Sequence, residues 1–491
     1  MSKLSFADKA GFISVGRLLR ALSKLLLLIL LVRLLTKFDY GTYRQVIMLY
    51  SLFSVVLFLG IPTSVYYFLP KLKEDEVKTF ILQSEIALFY LGLLLGAIFF
   101  FTAGYWGSKF TNESLPVYLR IFALYPLFDF PTQAIPPILI CFDRHRAAAI
   151  ANVVFAVNNL VAVVIPLLLG YSLTVAFLCL GIVAALQFVV ALGYVIKVMG
   201  GIGPFFNRFL FREQMKYSVP LGLSSIVTII SRELDKFIIS LYFLPEVFAV
   251  YAVGAKELPF VTIIPYAVAS TLFPKFVKLY EDKNQKDFFE LWHKSIRKVS
   301  LIILPLFPFF LITAKEVVTI LYTTEYVAAV PVFRIYLLLL LVHIAAFDSL
   351  VLSMGYPRIV LISTIIGLSL NVMFNILFIK LFDFIGPAIA TVLVTVAITG
   401  YFLYVVKQKF AISWRAVFPW KVYGRILTIS IVAGIVSLPL MIIRNSVWIK
   451  FILIVIVFWG VYGALLYYFK VIDEDDISFI KRWLSLKVLF S

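Results

Sequence analysis

Residues 12–35 read FISVGRLLRALSKLLLLILLVRLL, an apolar stretch long enough to cross a bilayer as one helix. Similar stretches dominate the chain. It is 63% hydrophobic and 14% charged, whereas soluble domains carry roughly 25% charged residues. A water-facing surface cannot be assembled from this composition. The sequence therefore predicts an all-α integral membrane protein.

Apolar runs of the required length recur and predict about 14 transmembrane helices. The predicted spans are 12–35, 43–69, 79–105, 115–141, 147–170, 172–196, 217–241, 248–274, 296–313, 331–354, 359–381, 384–406, 420–443 and 447–469. Lys and Arg concentrate in alternate loops, which places both termini in the cytoplasm by the positive-inside rule. Prolines inside the spans, such as Pro62 and Pro136, predict kinks.

Charge and motif content exclude several functional classes. The net charge of +18 is spread over short loops beside apolar spans, so it predicts membrane topology rather than nucleic-acid binding. Cys141 and Cys179 lack metal-ligand spacing, and neither a metal nor a cofactor is expected. The motifs of ATPases, serine hydrolases and zinc proteases do not occur. We therefore expect a carrier and not an enzyme.

An internal repeat predicts two similar halves. FDYGTYRQV (38–46) matches EVFAVYAVG (246–254), and YLRIF (118–122) matches VFRIY (332–336) at a similar offset. These matches predict two pseudo-symmetric six-helix bundles around a central cavity, followed by two C-terminal helices. The predicted divisions are 1–200, 201–410 and 411–491.

Two longer cytoplasmic connections, 204–216 and 275–298, mix Phe or Trp with Lys and Arg. This mixture is typical of segments that lie in the membrane interface and contact anionic lipid. Docking of a partner is the alternative.

Basic side chains within the spans are the strongest functional signal, because each is costly in hydrocarbon. Arg17, Arg20 and Lys24 share one face of the first helix, and Lys24 lies too deep to reach the interface easily. On the seventh helix, Arg232 and Lys236 form a second basic strip, although local pairing with Asp235 is an alternative. We interpret the two strips as walls of an anion-binding cavity, since arginine forks match phosphate oxygens.

Other charged residues in the spans are secondary candidates. Arg120 and Arg334, which correspond in the repeat, could contact substrate or anchor their helices. Four acids could pair with arginines or bind a coupling H⁺ or Na⁺: Glu85, Asp129, Asp235 and Asp348.

The chain resembles bacterial polysaccharide flippases of the Wzx type, in the multidrug/oligosaccharidyl-lipid/polysaccharide exporter superfamily. Besides the basic first helix, the resemblance rests on YGTY (40–43), FLPK (68–71), RELDKF (232–237) and LPEVFAVYAVG (244–254). It implies a monomer in the bacterial cytoplasmic (inner) membrane. Such a protein moves an undecaprenyl-diphosphate-linked oligosaccharide to the periplasmic leaflet for O-antigen of lipopolysaccharide, capsule or a related glycan.

Family cavity residues map here only onto Arg17, Arg20, Lys24 and Arg232. Three alternatives stay open. A lipid II flippase is less favoured, because the first helix reads Arg17-Leu18 where an Arg-Asp pair would be expected. A multidrug or cation antiporter would need exposed carboxylates, and a membrane glycan polymerase or ligase would need a larger external domain.

Overall fold

The computed structural model describes residues 6–255, 259–443 and 446–471, and within these ranges the protein consists of helices joined by short turns, without strands. The described chain forms two compact units, one ending at Ala249 and the other beginning at Val250. Each unit consists of many helices and has its own buried apolar core.

The first unit contains ten helices. They are α1 (Phe6–Leu34), α2 (Lys37–Phe58), α3 (Ile61–Phe68), α4 (Glu74–Lys109), α5 (Leu115–Phe122), α6 (Leu124–Thr132), α7 (Ile135–Cys141), α8 (His145–Leu168), α9 (Leu173–Val198) and α10 (Arg208–Tyr242). The helix α10, which we predicted to begin the second bundle, belongs to this unit. Asn207 begins it by accepting hydrogen bonds from the amides of Phe209 and Leu210.

The second predicted span is broken between α2 and α3. Leu59 and Gly60 both have left-handed backbone, with φ of 49° and 71°, and Pro62 follows in the first turn of α3. Gly60 also lies against α10, where an added Cβ would be 2.4 Å from the carbonyl oxygen of Ser218. A glycine is therefore required both for the backbone conformation and for the close approach of α10.

The fourth predicted span is divided into the short helices α5, α6 and α7. Pro136 and Pro137 lie in the first turn of α7 and lack the amides that would continue the hydrogen bonding of α6. α6 lies close against α4, because Gly92 allows the backbone of Pro126 to approach: an added Cβ would be 2.3 Å from its carbonyl oxygen. This contact positions the acidic residue of α6, Asp129.

The second unit follows α11 (Pro245–Gly254), which crosses the boundary between the units. Its helices are α12 (Pro259–Glu281), α13 (Gln285–Ile303), α14 (Leu306–Tyr322), α15 (Val330–Leu337), α16 (Phe347–Ser353), α17 (Pro357–Phe382), α18 (Gly386–Phe410), α19 (Trp414–Val417), α20 (Trp420–Ser437) and α21 (Val447–Tyr468). The tenth predicted span is broken between α15 and α16, as its repeat partner is between α5 and α7.

Nine helical segments of the described chain are long and apolar enough to cross a membrane. Two of these, Gln285–Tyr322 and Pro357–Phe410, each combine consecutive helices. The all-helical membrane architecture is thus confirmed, while the count of 14 crossings stays a prediction. Breaks such as the one between α2 and α3 divide several predicted spans into shorter helices.

The expectation that the aromatic residues of the connection 275–298 contact lipid is wrong. The aromatic side chains of α13, including Phe288, Phe289 and Trp292, are buried within the second unit. The Trp292 indole donates a hydrogen bond to the carbonyl oxygen of Val417 at 3.1 Å. α13 therefore uses its apolar face to pack against protein and not to enter lipid.

Candidate functional site

The basic face of α1 meets polar residues of its own unit. α1 packs along α8, and the Arg20 guanidinium donates hydrogen bonds to Asn152 Oδ1 on α8 at 3.1 Å and to Gln133 Oε1 at 3.4 Å. Both acceptors are neutral amides. The backbone of Arg17 lies on the same helix, but its side chain is outside the described part of the structure.

Asp129 on α6 lies beside this arginine without pairing with it. Its carboxylate accepts hydrogen bonds from the hydroxyls of Tyr50 and Tyr125 and from Gln133 Nε2, the last at 3.0 and 3.1 Å to its two oxygens. The Gln133 amide thus stands between the guanidinium and the carboxylate. Because neutral donors satisfy Asp129, the charge of Arg20 is left available.

The hydrogen-bonded network extends deeper into the unit. Asn159 on α8 donates to the Tyr125 hydroxyl at 3.2 Å, and Gln187 on α9 donates to Asn159 Oδ1 at 3.5 Å. Side chains of five helices, α1, α2, α6, α8 and α9, are connected in this way. Such a network fixes the positions of its members, since each would be costly to leave unpaired in a membrane interior.

Lys24 lies one turn beyond Arg20, and its side chain is exposed. The charges of Arg20, Asp129 and Arg232 act on its ammonium group. These groups belong to α1, α6 and α10, so the ammonium lies within electrostatic range of charges on all three helices. Over the described residues, no carboxylate forms an ion pair with Arg20 or Lys24.

The basic residues of α10 differ from each other. The Arg232 side chain is 61% exposed and contacts only loosely the carboxylate of Glu233, with Nε 3.8 Å from Oε1. Lys236 is buried, and its ammonium lies 3.6 Å from Glu233 and 3.7 Å from Asp235. Asp235 therefore serves a local ion pair with Lys236, while Arg232 is the more accessible of these two cations.

The remaining candidates lie on helices other than α1, α6 and α10. Arg120 on α5 and Arg334 on α15 are exposed, and Arg334 belongs to the second unit. Asp348, also in the second unit, accepts a hydrogen bond from the Tyr266 hydroxyl at 3.1 Å. Glu85 is buried in α4, and neither of its carboxylate oxygens has a hydrogen-bond partner in the described structure.

The sequence analysis missed the uncharged members of the site: Tyr50, Tyr125, Gln133, Asn152, Asn159 and Gln187. A signal for two of them was present, since Asn152 and Asn159 are seven residues apart and therefore share a face of an otherwise apolar span. The described residues contain no group of three or more His, Cys, Asp or Glu side chains suited to a metal ion.

Comparison with known proteins agrees with this architecture. Residues 30–331 match the family described as polysaccharide biosynthesis protein. An uncharacterized membrane protein of Methanocaldococcus jannaschii is 23% identical over 90% of this chain and 91% of its own. A probable low-salt glycan biosynthesis flippase of Haloferax volcanii, Agl15, is 29% identical, over 38% of this chain and 39% of its own.

Among solved structures, the lipid II flippase MurJ in an inward closed conformation superimposes with a TM-score of 0.75 at 15% identity, covering 93% of this chain and 98% of that one. The predicted membership of the polysaccharide flippase group is confirmed, and so is the expectation of a transporter in place of an enzyme. Because the family match covers more than half of its length, the chain belongs to the polysaccharide biosynthesis protein family.

Proposed function

We propose that the protein is a flippase for a lipid-linked glycan and that Arg20, Lys24 and Arg232 hold the diphosphate of its substrate. The observation that carries the proposal is electrostatic. Arg20 and Lys24 have no ion pair with a carboxylate among the described residues, and Arg232 is accessible nearby. Cations without a counter-ion inside a membrane protein are costly unless an anion binds beside them.

The chemistry of these residues fits a diphosphate. Two of the donors of Arg20 are held by Asn152 and Gln133, which orients the guanidinium and leaves further N–H groups for phosphate oxygens. Lys24 adds a mobile point charge one turn away. The membrane potential is worth about 2.3 kcal/mol per charge per 100 mV. Because the inside of the membrane is negative, the potential favours outward movement of a negative head group and inward return of the empty basic site.

The relatives and the resemblance support a more specific proposal for the substrate. One relative is named a glycan biosynthesis flippase and the structural neighbour a lipid II flippase. We assign an undecaprenyl-diphosphate-linked oligosaccharide, used for O-antigen, capsule or a related glycan, and a cytoplasmic membrane with both termini inside. H⁺ or Na⁺ coupling would use Asp129, Asp235, Asp348 or Glu85. The protein acts as a monomer in this proposal.

A cation antiporter is less well supported by the site. Drug cations would require an accessible carboxylate, yet Asp129 is enclosed by three neutral donors. Asp235 is buried beside Lys236. The accessible charges of this cluster are positive.

Reconstitution into vesicles tests the proposal. Labelled undecaprenyl-diphosphate-linked oligosaccharide is placed in one leaflet and its exchange to the other is measured. Removing one charge-assisted contact costs about 1.5–3 kcal/mol, so Arg20→Gln and Lys24→Gln should each slow exchange at least about tenfold. Lys109→Gln, which removes an exposed cation at the end of α4, is the matched control and should exchange at the unmodified rate. No acceleration by the unmodified protein, or full activity of both cavity variants, would refute the proposal.

A further inference from the structure

Glu85 on α4 is a buried acid without a partner among the described residues. It is 3% exposed, and neither of its carboxylate oxygens forms a hydrogen bond. The other acids that are candidates for ion coupling are bound: Asp129 by neutral donors, Asp235 by an ion pair and Asp348 by a tyrosine hydroxyl. Glu85 therefore lacks the contacts that normally accompany a buried acid.

No charged group compensates for this burial. α4 packs against α2, α3, α5, α6 and α10, and over the part of the chain that the structure describes, no charge on these helices acts on the Glu85 carboxyl. On α6, Asp129 is bound by tyrosine hydroxyls, and α3 contains no charged residue. The nearest charges of α2 and α5 are Arg44 and Arg120, which lie toward the C-terminal end of α4. On α10 the charged groups at this level are exposed or paired: Arg212, Glu213 and Lys216.

The packing of α4 against α6 shows what Glu85 faces. Gly92 lies against Pro126 of α6, and the next contact, one turn later on α4, is with the earlier residue Ala123. The two helices are therefore antiparallel. Glu85 precedes Gly92 by seven residues, or two turns, and so lies on the same face of α4. The register places it opposite residues 133–134, between the end of α6 and the beginning of α7.

The surroundings of this carboxyl group suit a proton better than a metal ion. Ile81 and Leu88 share its face of α4, and on the opposing segment Phe130 and Ala134 are completely buried. These side chains offer no oxygen ligand, whereas hard cations need several. A proton needs only one carboxyl oxygen. Because an isolated carboxylate is costly in apolar surroundings, a buried acid of this kind neutralises by binding a proton.

The break between α6 and α7 also contains a residue of the proposed diphosphate site. Gln133 accepts a hydrogen bond from Arg20 at 3.4 Å and donates one to Asp129 at 3.0 Å. The break thus contacts the basic cluster through Gln133 and lies opposite Glu85 on its α4 side. An ionised Glu85 would need water, which the packed seam excludes, so α4 would have to move away from the break. Such a movement would shift Gln133 and remove an orienting contact from Arg20.

We infer that Glu85 binds a proton and that this proton is coupled to diphosphate binding through the break between α6 and α7. The neutral side chain allows α4 to pack against the break, and Gln133 then orients Arg20 for the ligand. When Glu85 releases its proton to water, the seam opens and diphosphate binding weakens. By linkage, bound diphosphate favours the protonated form by the same factor. The inference rests on the proposed flippase function, and it assigns ion coupling to a proton on Glu85.

Infrared spectroscopy of the purified full-length protein tests the proton site. A protonated carboxyl group without a hydrogen bond has its C=O stretching band at a higher wavenumber than a hydrogen-bonded one. The unmodified protein at neutral pH should show this band, and Glu85→Gln should lack it. Glu76→Gln is the matched control, because Glu76 lies on the same helix and accepts a hydrogen bond from the amide of Lys73. It should keep the band. A band that is absent from the unmodified protein, or that persists in Glu85→Gln, would refute the proton site.

Binding of undecaprenyl diphosphate tests the coupling when it is measured from about pH 6 to about pH 9, a range in which buried glutamates can titrate. The ligand ionises as well, so each variant is compared with the unmodified protein at the same pH. From the lowest to the highest pH, the affinity of the unmodified protein should fall at least about fivefold more than that of Glu85→Gln. Glu85→Leu, which fills the site with an apolar side chain, should behave as Glu85→Gln does. Glu76→Gln should follow the unmodified protein.

The other outcomes separate the failure of this inference from the failure of the proposed function. If the unmodified protein binds no diphosphate at any pH, the proposed function is refuted and the coupling with it. If it binds with the same pH profile as Glu85→Gln, only the coupling through Glu85 is refuted. Equal loss of binding at every pH in both Glu85 variants would show a structural role instead. Dependence on sodium concentration in place of pH would overturn the assignment of a proton.

Discussion

The arrangement around Gln133 leads to a prediction that separates a charge effect from a structural one. The Gln133 amide accepts from Arg20 and donates to both oxygens of Asp129. Gln133→Leu removes this bridge and allows the guanidinium to move onto the carboxylate. Arg20 would then be neutralised within the protein. We expect binding of a lipid diphosphate to weaken although no positive charge has been removed.

The size of the effect can be worked out from the contacts. Leaving Asp129 with two tyrosine donors in place of three partners should cost about 1–3 kcal/mol in stability. The loss in binding is separate. An arginine engaged by Asp129 withholds one charge-assisted contact from the ligand, worth about 1.5–3 kcal/mol, which corresponds to roughly ten- to hundredfold in affinity.

A second substitution provides the decisive comparison. In Gln133→Leu combined with Asp129→Asn, no carboxylate competes for Arg20, so affinity should return to within about threefold of the unmodified protein. Binding of labelled undecaprenyl diphosphate is measured at one fixed salt concentration, because screening changes such affinities. Tryptophan fluorescence during heating reports stability independently. Unchanged binding in the single variant, or no recovery in the double variant, would refute this account of Gln133.

Two further predictions concern stability. Lys450 Nζ lies 2.9 Å from Glu316 Oε1, and Glu316 is 3% exposed. Lys450→Met should therefore lower the free energy of unfolding by about 3–5 kcal/mol, because it leaves a buried carboxylate unpaired. Adding Glu316→Leu should restore most of this stability. A double variant as unstable as the single one would contradict this. Gly60→Ala should cost at least about 1–2 kcal/mol from its left-handed backbone alone, measured by the unfolding midpoint in detergent. Gly104→Ala, where an added Cβ meets nothing within 4 Å, is the control and should unfold no earlier than the unmodified protein, because alanine favours a helix over glycine.

Hydrophobicity alone was sufficient to predict where most helices lie. The predicted span 147–170 corresponds to α8 and the span 359–381 to α17, because an uninterrupted apolar run has few other ways to satisfy its backbone in lipid. The helix breaks were less predictable. Pro136 indicated one, but the turn at Leu59 and Gly60 depends on the close packing of α10, which no local pattern reveals.

Only the charged members of the proposed site could be predicted from the sequence. Arg20, Lys24 and Arg232 became candidates because a charge in an apolar span is conspicuous and costly. Their neutral partners were not, since Gln133 or Tyr50 has a meaning only when another helix places a charge beside it. The same limit affects Lys236. Its pairing with Glu233 and Asp235 depends on side-chain directions that helical spacing leaves open.

The membership of α10 in the first unit bears on how a transport cycle could treat the substrate. The repeat predicted that the two basic strips would belong to different bundles. In the structure, Arg20, Lys24 and Arg232 belong to one compact unit. The hydrogen bonds from Arg20 to Asn152 and Gln133 are internal to it as well. The three cations can therefore keep their positions relative to one another if the first unit moves as one body. Crosslinks between cysteines introduced on α1 and α10 should accordingly leave exchange of the glycan lipid intact, whereas a cycle that parts these helices would be blocked by them.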